Sequence, residues 1–148
     1  MVADRNEIDD FKGLLREYVS YRSRMRELGE KMSLLWYELS GVKGLRYDRI
    51  PVTGKTEGYP EWKEKISGQI EDIRKEIMRI QLNRQKVKAV LNAMNPETAY
   101  AVVEIYGKGR TYASVALEIH ISVGGLQKRI SKELRIHAKE YSYPVSKP

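Results

Sequence analysis

The sequence predicts an all-α protein: a long antiparallel helical hairpin of coiled-coil type, followed by a small helix-turn-helix domain. Three observations predict it. Residues 4–40 and 61–94 carry apolar side chains at spacings of three and four, the repeat of one helix face. The stretch between them, GVKGLRYDRIPVTGKTEGYP, holds four Gly and two Pro and has no period. The remainder breaks into short helical pieces, each opened by a residue type that caps helices.

The first helix places Ile8, Phe11, Leu15, Tyr18, Met25, Leu28, Met32, Leu35 and Leu39 on one stripe. Arg22 interrupts it, and the register slips between Met25 and Leu28 in the manner of a coiled-coil stammer. Gly29 weakens the helix by about 1 kcal/mol relative to Ala. Residues 41–60 follow as a loop, long enough to suggest a role in contacting a partner. The Gly54-Lys55-Thr56 string in it resembles the end of a phosphate-binding loop. It lacks the Gly that such a loop needs earlier in the string, since position 49 is Arg, and no strand precedes it.

The second helix, 61–94, carries Ile66, Ile70, Ile73, Ile77, Ile80, Val87, Leu91 and Met94, with Arg84 holding one place in the stripe. Acidic residues crowd its first half and basic residues its second, which suits the helix dipole. Its stripe is wider than one facing helix needs, so the hairpin, 1–94, is expected to self-associate. Trp36, Tyr37, Tyr59 and Trp62 bracket the loop and are expected to form a small core at the hairpin end.

A second unit is expected over 95–141. Asn95-Pro96 is a helix-start pair and opens a helix through Ala99, Val102, Val103 and Tyr106, ended by Gly107-Lys108-Gly109. Thr111 caps the next helix, which carries Val115, Ala116 and Ile119. His120 occupies the turn, where a left-handed backbone is required. Ser122 caps a last helix with Leu126, Ile130, Leu134 and Ala138 inward, running to about Tyr141. Residues 142–148 are read as a flexible tail.

Composition bounds the function. Lys and Arg total 27 against 20 Asp and Glu, a net charge of +7 that suits a polyanionic partner. There are ten Tyr against two Trp and one Phe, the aromatic suited to half-wet cores. Cysteine is absent, so disulfides and thiolate metal sites are excluded. No catalytic triad, carboxylate pair or metal-ligand spacing appears, so neither an enzymatic activity nor a cofactor is expected. No apolar run reaches membrane-spanning length. The expectation is a soluble cytoplasmic protein.

The outward positions of the last helix are Val123, Gly124, Gln127, Lys128, Arg129, Lys132 and Arg135. Gln pairs bidentately with adenine, and Lys or Arg with guanine or phosphate. Ser122 leaves the first turns of that helix free for a major groove. Val123, Gly124, Gln127 and Lys128 are therefore the candidate base-edge contacts. Arg129, Lys132, Lys108 and Arg110 are the candidate phosphate contacts, and Thr111 and Tyr112 flank them.

Tyr112, Val115-Ala116, Ile119, His120, Ile121-Ser122 and Leu126, preceded by Tyr106-Gly107-Lys108-Gly109, resemble region 4 of bacterial sigma factors and related phage regulators. The long first helix and the loop string Leu45-Arg46-Tyr47-Asp48, with Val52, are similar to phage and prophage late-gene activators of the RinA/ArpU type. The resemblance implies a transcription activator that holds double-stranded DNA and contacts host RNA polymerase. Two departures stand out: His120 replaces the usual turn Gly, and Gly124-Gly125 open the DNA-reading helix. Two other readings are open. One is a DNA-packaging protein of the small-terminase type. The other is a polymerase-binding protein with no DNA contact.

Overall fold

A computed structural model describes residues 3–40 and 61–139. The candidate loop 41–60 and the tail 142–148 lie outside them. The protein is all-helical. Among the described residues there are six α-helices, one π-helical turn and no strand: α1 (Arg5–Val19), α2 (Tyr21–Leu39), α3 (Glu61–Ala93), α4 (Pro96–Val102), the π turn (Val103–Gly107), α5 (Tyr112–Glu118) and α6 (Val123–His137).

Local chemistry explains most of the boundaries. Asp4 opens α1 with a capping box: its carboxylate accepts from the Glu7 N–H at 2.8 Å, while Glu7 accepts from the Asp4 N–H at 3.3 Å. Asn95 opens α4, its side-chain oxygen accepting from the Glu97 N–H at 3.0 Å, with Pro96 at the first helical position. The sequence stripe over 4–40 reads as one helix, but it is divided at Ser20. The Ser20 hydroxyl donates back to the Arg16 carbonyl at 3.0 Å, a local bond that competes with continuing the helix. Gly29, the expected weak point, lies inside α2.

Contacts divide the chain into two units, and the division crosses α3 instead of falling at its end. The first unit holds 3–22 with 79–139, the second 23–40 with 61–78. Side-chain burial gives the reason. Phe11 and Leu15 of α1 and Val87, Val90 and Leu91 of α3 share one buried cluster with Ala101, Val102, Ile105, Val115, Ala116, Leu126, Ile130 and Leu134. The short helices are too small to close a core alone, so the ends of the long ones complete it. The π turn seats directly on α1: a Cβ on Gly107 would fall 2.5 Å from Val19 Cγ2 and 3.2 Å from the Leu15 carbonyl oxygen. The Ala3 N–H also donates to the Arg135 carbonyl at 2.7 Å, joining the start of α1 to the last turn of α6.

Polar side chains reinforce this unit. Arg79 is buried and forms an ion pair with Glu17 at 2.9 Å. The Arg84 guanidinium lies 4.5 Å from the Tyr21 ring centroid and 5.9 Å from that of Tyr18. Arg84 thus keeps its place in the apolar stripe by stacking its planar cation on aromatic faces.

The second unit is thinner. Leu28, Ile66 and Ile70 are buried, and Met25, Met32, Leu35 and Leu39 are half-buried. Arg24 reaches Glu76 at 3.9 Å, and the Arg74 guanidinium lies 5.7 Å from the Trp36 ring centroid. The expected aromatic core at this end is not formed by the described residues. Trp36, Tyr37 and Trp62 are all exposed, and Tyr59 lies outside the description. The α3 stripe that suggested self-association is largely used within the chain, with Ile66, Ile70, Ile80, Val87, Leu91 and Met94 buried.

Candidate nucleic-acid interface

The α5–turn–α6 segment is built by two hydroxyl caps and one left-handed residue. Thr111 Oγ1 accepts from the Ser114 N–H at 3.1 Å and starts α5. The Ile121 N–H returns to the Ala116 carbonyl at 3.0 Å and closes it. His120 then takes a φ of 60°, the left-handed value expected of that position. Ser122 Oγ accepts from the Gly125 N–H at 3.0 Å and opens α6. Val115, Ala116, Leu126 and Ile130 are buried between the two helices and the rest of the cluster.

This core fixes which side of α6 faces out. Ser122, Val123, Gly124, Gln127, Lys128, Arg129 and Lys132 are all exposed. Gly124, Gln127, Lys128 and Lys132 share one shallow concavity along the helix, together with Ser131, Arg135 and Ile136. Among the described residues Lys128, Lys132 and Arg135 make no ion pair. Their charge is therefore available to an anion.

The other candidate cations are engaged. Lys108 Nζ lies 2.8 Å from Glu104, and Arg129 Nη1 lies 2.9 Å from Glu97 of α4. Arg110 is half-buried in a cluster of its own. Its Nη1 meets Glu104 at 3.1 Å and Glu118 at 3.2 Å, and its Nη2 donates to Ser114 Oγ at 2.8 Å. The Tyr100 hydroxyl donates to Glu118 and, at 3.3 Å, to Glu104. Hydrogen bonds from Lys108 and Arg110 hold the Glu104 carboxyl below its usual range. Glu118 is lowered by Tyr100 and by the positive charge of Arg110. Its hydrogen bond to Glu118 raises the Tyr100 hydroxyl, and Glu104 raises Arg110. The network ties α4 and the π turn to α5, so Arg110 positions α5 before it can meet any ligand.

Tyr112 is half-buried. Its ring stands edge-on to Tyr106 at 6.1 Å between centroids, its hydroxyl meets the Tyr106 hydroxyl, and burial raises its pKa. Lys12 Nζ lies 4.6 Å from the centroid of the Tyr106 ring. Thr111 and Tyr112 are thus part of the frame, while the exposed side chains of α6 form the surface.

Sequence reasoning missed the neighbour of that surface. Ser131 and Arg135 also border a second groove, whose far side is Arg5, Asp9 and Lys12 of α1. The cationic face of α6 therefore continues onto α1. No local pattern in the sequence links Arg5 to Arg135, because their proximity depends on the shared core.

The two glycines at the start of α6 differ. A Cβ on Gly125 would sit 2.9 Å from Ser122 Oγ and disturb the cap, whereas Gly124 faces open space. Among the described residues no group of three His, Asp or Glu side chains could hold a metal ion. No helix among them is long and apolar enough to cross a membrane. No protein-family model, curated protein or solved structure matches this chain.

Proposed function

We propose that this chain is a sequence-specific DNA-binding transcription regulator that reads double-stranded DNA with a helix-turn-helix, α5 and α6, carried on an antiparallel helical hairpin. The observation that carries the reading is the exposed face of α6. It sets Gln127 along a hydroxyl-capped helix with Lys128, Lys132 and Arg135, which make no ion pair among the described residues, while the opposite side of that helix is locked in the core. Gln127 and Lys128 then meet base edges, while Lys132 and Arg135 meet phosphates. Arg5 and Lys12 extend the cationic surface along the backbone. The resemblance to sigma region 4 and to RinA/ArpU-type regulators narrows the role to late-gene activation beside host RNA polymerase in a phage or prophage.

One observation favours a second reading, a protein that docks on polymerase without touching DNA. Lys108, Arg110 and Arg129 are neutralised by Glu104, Glu118 and Glu97, leaving fewer cations free than the sequence count suggests.

Binding to specific and scrambled duplexes across a salt series separates the two. Gln127→Ala should cost about 1–3 kcal/mol on the preferred site and little on random DNA, since a bidentate base contact is lost. Lys132→Ala should weaken both alike and lower the salt slope by about one. If both variants fold and bind as the unaltered chain does, α6 does not read DNA and the polymerase reading leads.

A further inference from the structure

The side of α1 that meets α6 carries charge. Arg5, Asp9 and Lys12 recur at spacings of four and three, so they stand on one face of the helix. That face is one wall of the groove whose other wall is Ser131 and Arg135 of α6, and the buried Ile130 and Leu134 lie beneath. Among the described residues Arg5, Lys12 and Arg135 make no ion pair. Asp9 is the one carboxylate in the lining, so the groove keeps an excess of positive charge.

The groove is also held in shape. The Ala3 N–H donates to the Arg135 carbonyl at 2.7 Å, which fixes the spacing of the two helices. Lys12 is half-buried, and its ammonium lies 4.6 Å from the Tyr106 ring centroid. Its charge is therefore presented from a set position, at a smaller entropy cost on binding than that of a free lysine.

Its placement points to an occupant. Ser131 and Arg135 border both this groove and the concavity of Gln127, whereas Lys128 and Lys132 border only the latter. Thus α1 flanks α6 on the side away from Lys132. A helix with its side chains is about 10–12 Å across, and the major groove is about 12 Å wide. A helix lying in it turns its two flanks to the backbones of opposite strands. On one flank α6 carries Lys132. On the other it carries Ser131, a hydroxyl, and there Arg5 and Lys12 of α1 stand with Arg135.

We propose that the α1–α6 groove seats the sugar–phosphate backbone of one strand of double-stranded DNA, with Arg5, Lys12 and Arg135 on its phosphates, while Lys132 holds the opposite strand. The proposal rests on α6 as the DNA-reading helix, and it makes α1 half of the backbone grip.

The test is binding of the full chain to duplex DNA across a salt series, first on random sequence, because phosphate contacts do not depend on sequence. Arg5→Gln and Lys12→Gln should each weaken binding and lower the salt slope by about 0.9, and the double variant by about 1.8. Arg5→Lys and Lys12→Arg keep the charge and should retain the slope. Asp9→Asn removes the carboxylate that faces the same phosphates and should tighten binding, a gain that loss of folding cannot imitate. Lys65→Gln, at an exposed position of α3 outside the groove, should change nothing. On a duplex selected by the chain, methylphosphonates that neutralise single phosphates should map Arg5 and Lys12 to one strand and Lys132 to the other. Each neutral phosphate should lose its effect in the variant that lacks its partner cation. A chain that binds no duplex would overturn both this proposal and the reading of α6. If Lys132→Ala lowers the slope while Arg5→Gln and Lys12→Gln do not, the reading of α6 stands and this proposal alone is overturned, leaving the groove to another anion such as an acidic peptide. An equal loss from Lys65→Gln, or coupling of Arg5 and Lys132 to phosphates of the same strand, would also overturn it.

Discussion

The two units divide α3 between them, yet they hold together differently. The first surrounds its buried cluster with short helices on several sides, and it adds the Glu17–Arg79 pair and the Glu104–Arg110–Glu118 network. The second has α2 against one stretch of α3, and among its described residues only Leu28, Ile66 and Ile70 are buried apolar side chains. An amphipathic stripe fixes which face of a helix is apolar, but it does not decide how many neighbours cover that face. Where short helices wrap the stripe, it becomes a core. Where one helix faces one helix, large apolar groups such as Leu34 and Trp36 stay at the surface.

Core truncation should separate the units most strongly. Leu15→Ala and Leu126→Ala each empty a fully buried site and should cost about 3–5 kcal/mol, whereas Leu28→Ala should cost about 2 kcal/mol because its half-exposed neighbours can collapse inward. Denaturant midpoints read by circular dichroism would measure both. Equal losses at Leu15 and Leu28 would erase the contrast.

Gly107→Ala should cost about 1–3 kcal/mol, because the added methyl has backbone of α1 on one side and Val19 on the other. Gly29→Ala, in the second unit, where an added Cβ meets nothing, should instead stabilise α2 by about 1 kcal/mol. Thermal unfolding of the pair would give opposite signs if the two environments are as described.

Acid should act on the first unit. Glu104 and Glu118 have lowered carboxyl pKa values, so the stability they contribute is present above the ordinary carboxylate range and is lost as pH falls through their folded-state values. The midpoint should therefore fall below about pH 4.5, and Glu104→Gln should flatten the decline. An unchanged pH profile in that variant would remove the network from the contrast.

The smallest effect is expected at the surface of α6. Gly124→Ala should stabilise that helix by up to about 1 kcal/mol, since nothing lies near the added Cβ. A loss of DNA affinity in the stabilised variant would mean that Gly124 lies against the ligand.

Much of this architecture is legible in the sequence, and the reasons for the rest are physical. Caps are local, so Asn95, Thr111 and Ser122 mark their helices correctly, and the left-handed state of His120 follows from its place between two helices. The break at Ser20 was hidden because a single hydroxyl bond leaves the apolar spacing intact. The engagement of Lys108, Arg110 and Arg129 was hidden because their partners lie on other turns or helices, and an exposed cation and a paired one look alike in a string of letters. The reach of α1 to α6 could not be read at all. It depends on how α1, the end of α3, α4, the π turn, α5 and α6 share one small interior.

The hydrogen bond from Ala3 to Arg135, with Phe11 and Leu15 packed in the same interior as Leu126 and Ile130, also bears on how the molecule is made. A ribosome adding about 5–20 residues each second needs roughly 6–25 seconds to pass from α1 to α6. For that interval α1 has no complete interior to enter, and its apolar face waits in the nascent chain. High contact order of this kind slows folding. It also means that a message cut short before α6 would yield no partly working product, because the surface proposed to read DNA and the interior that holds it are completed by the same final helix.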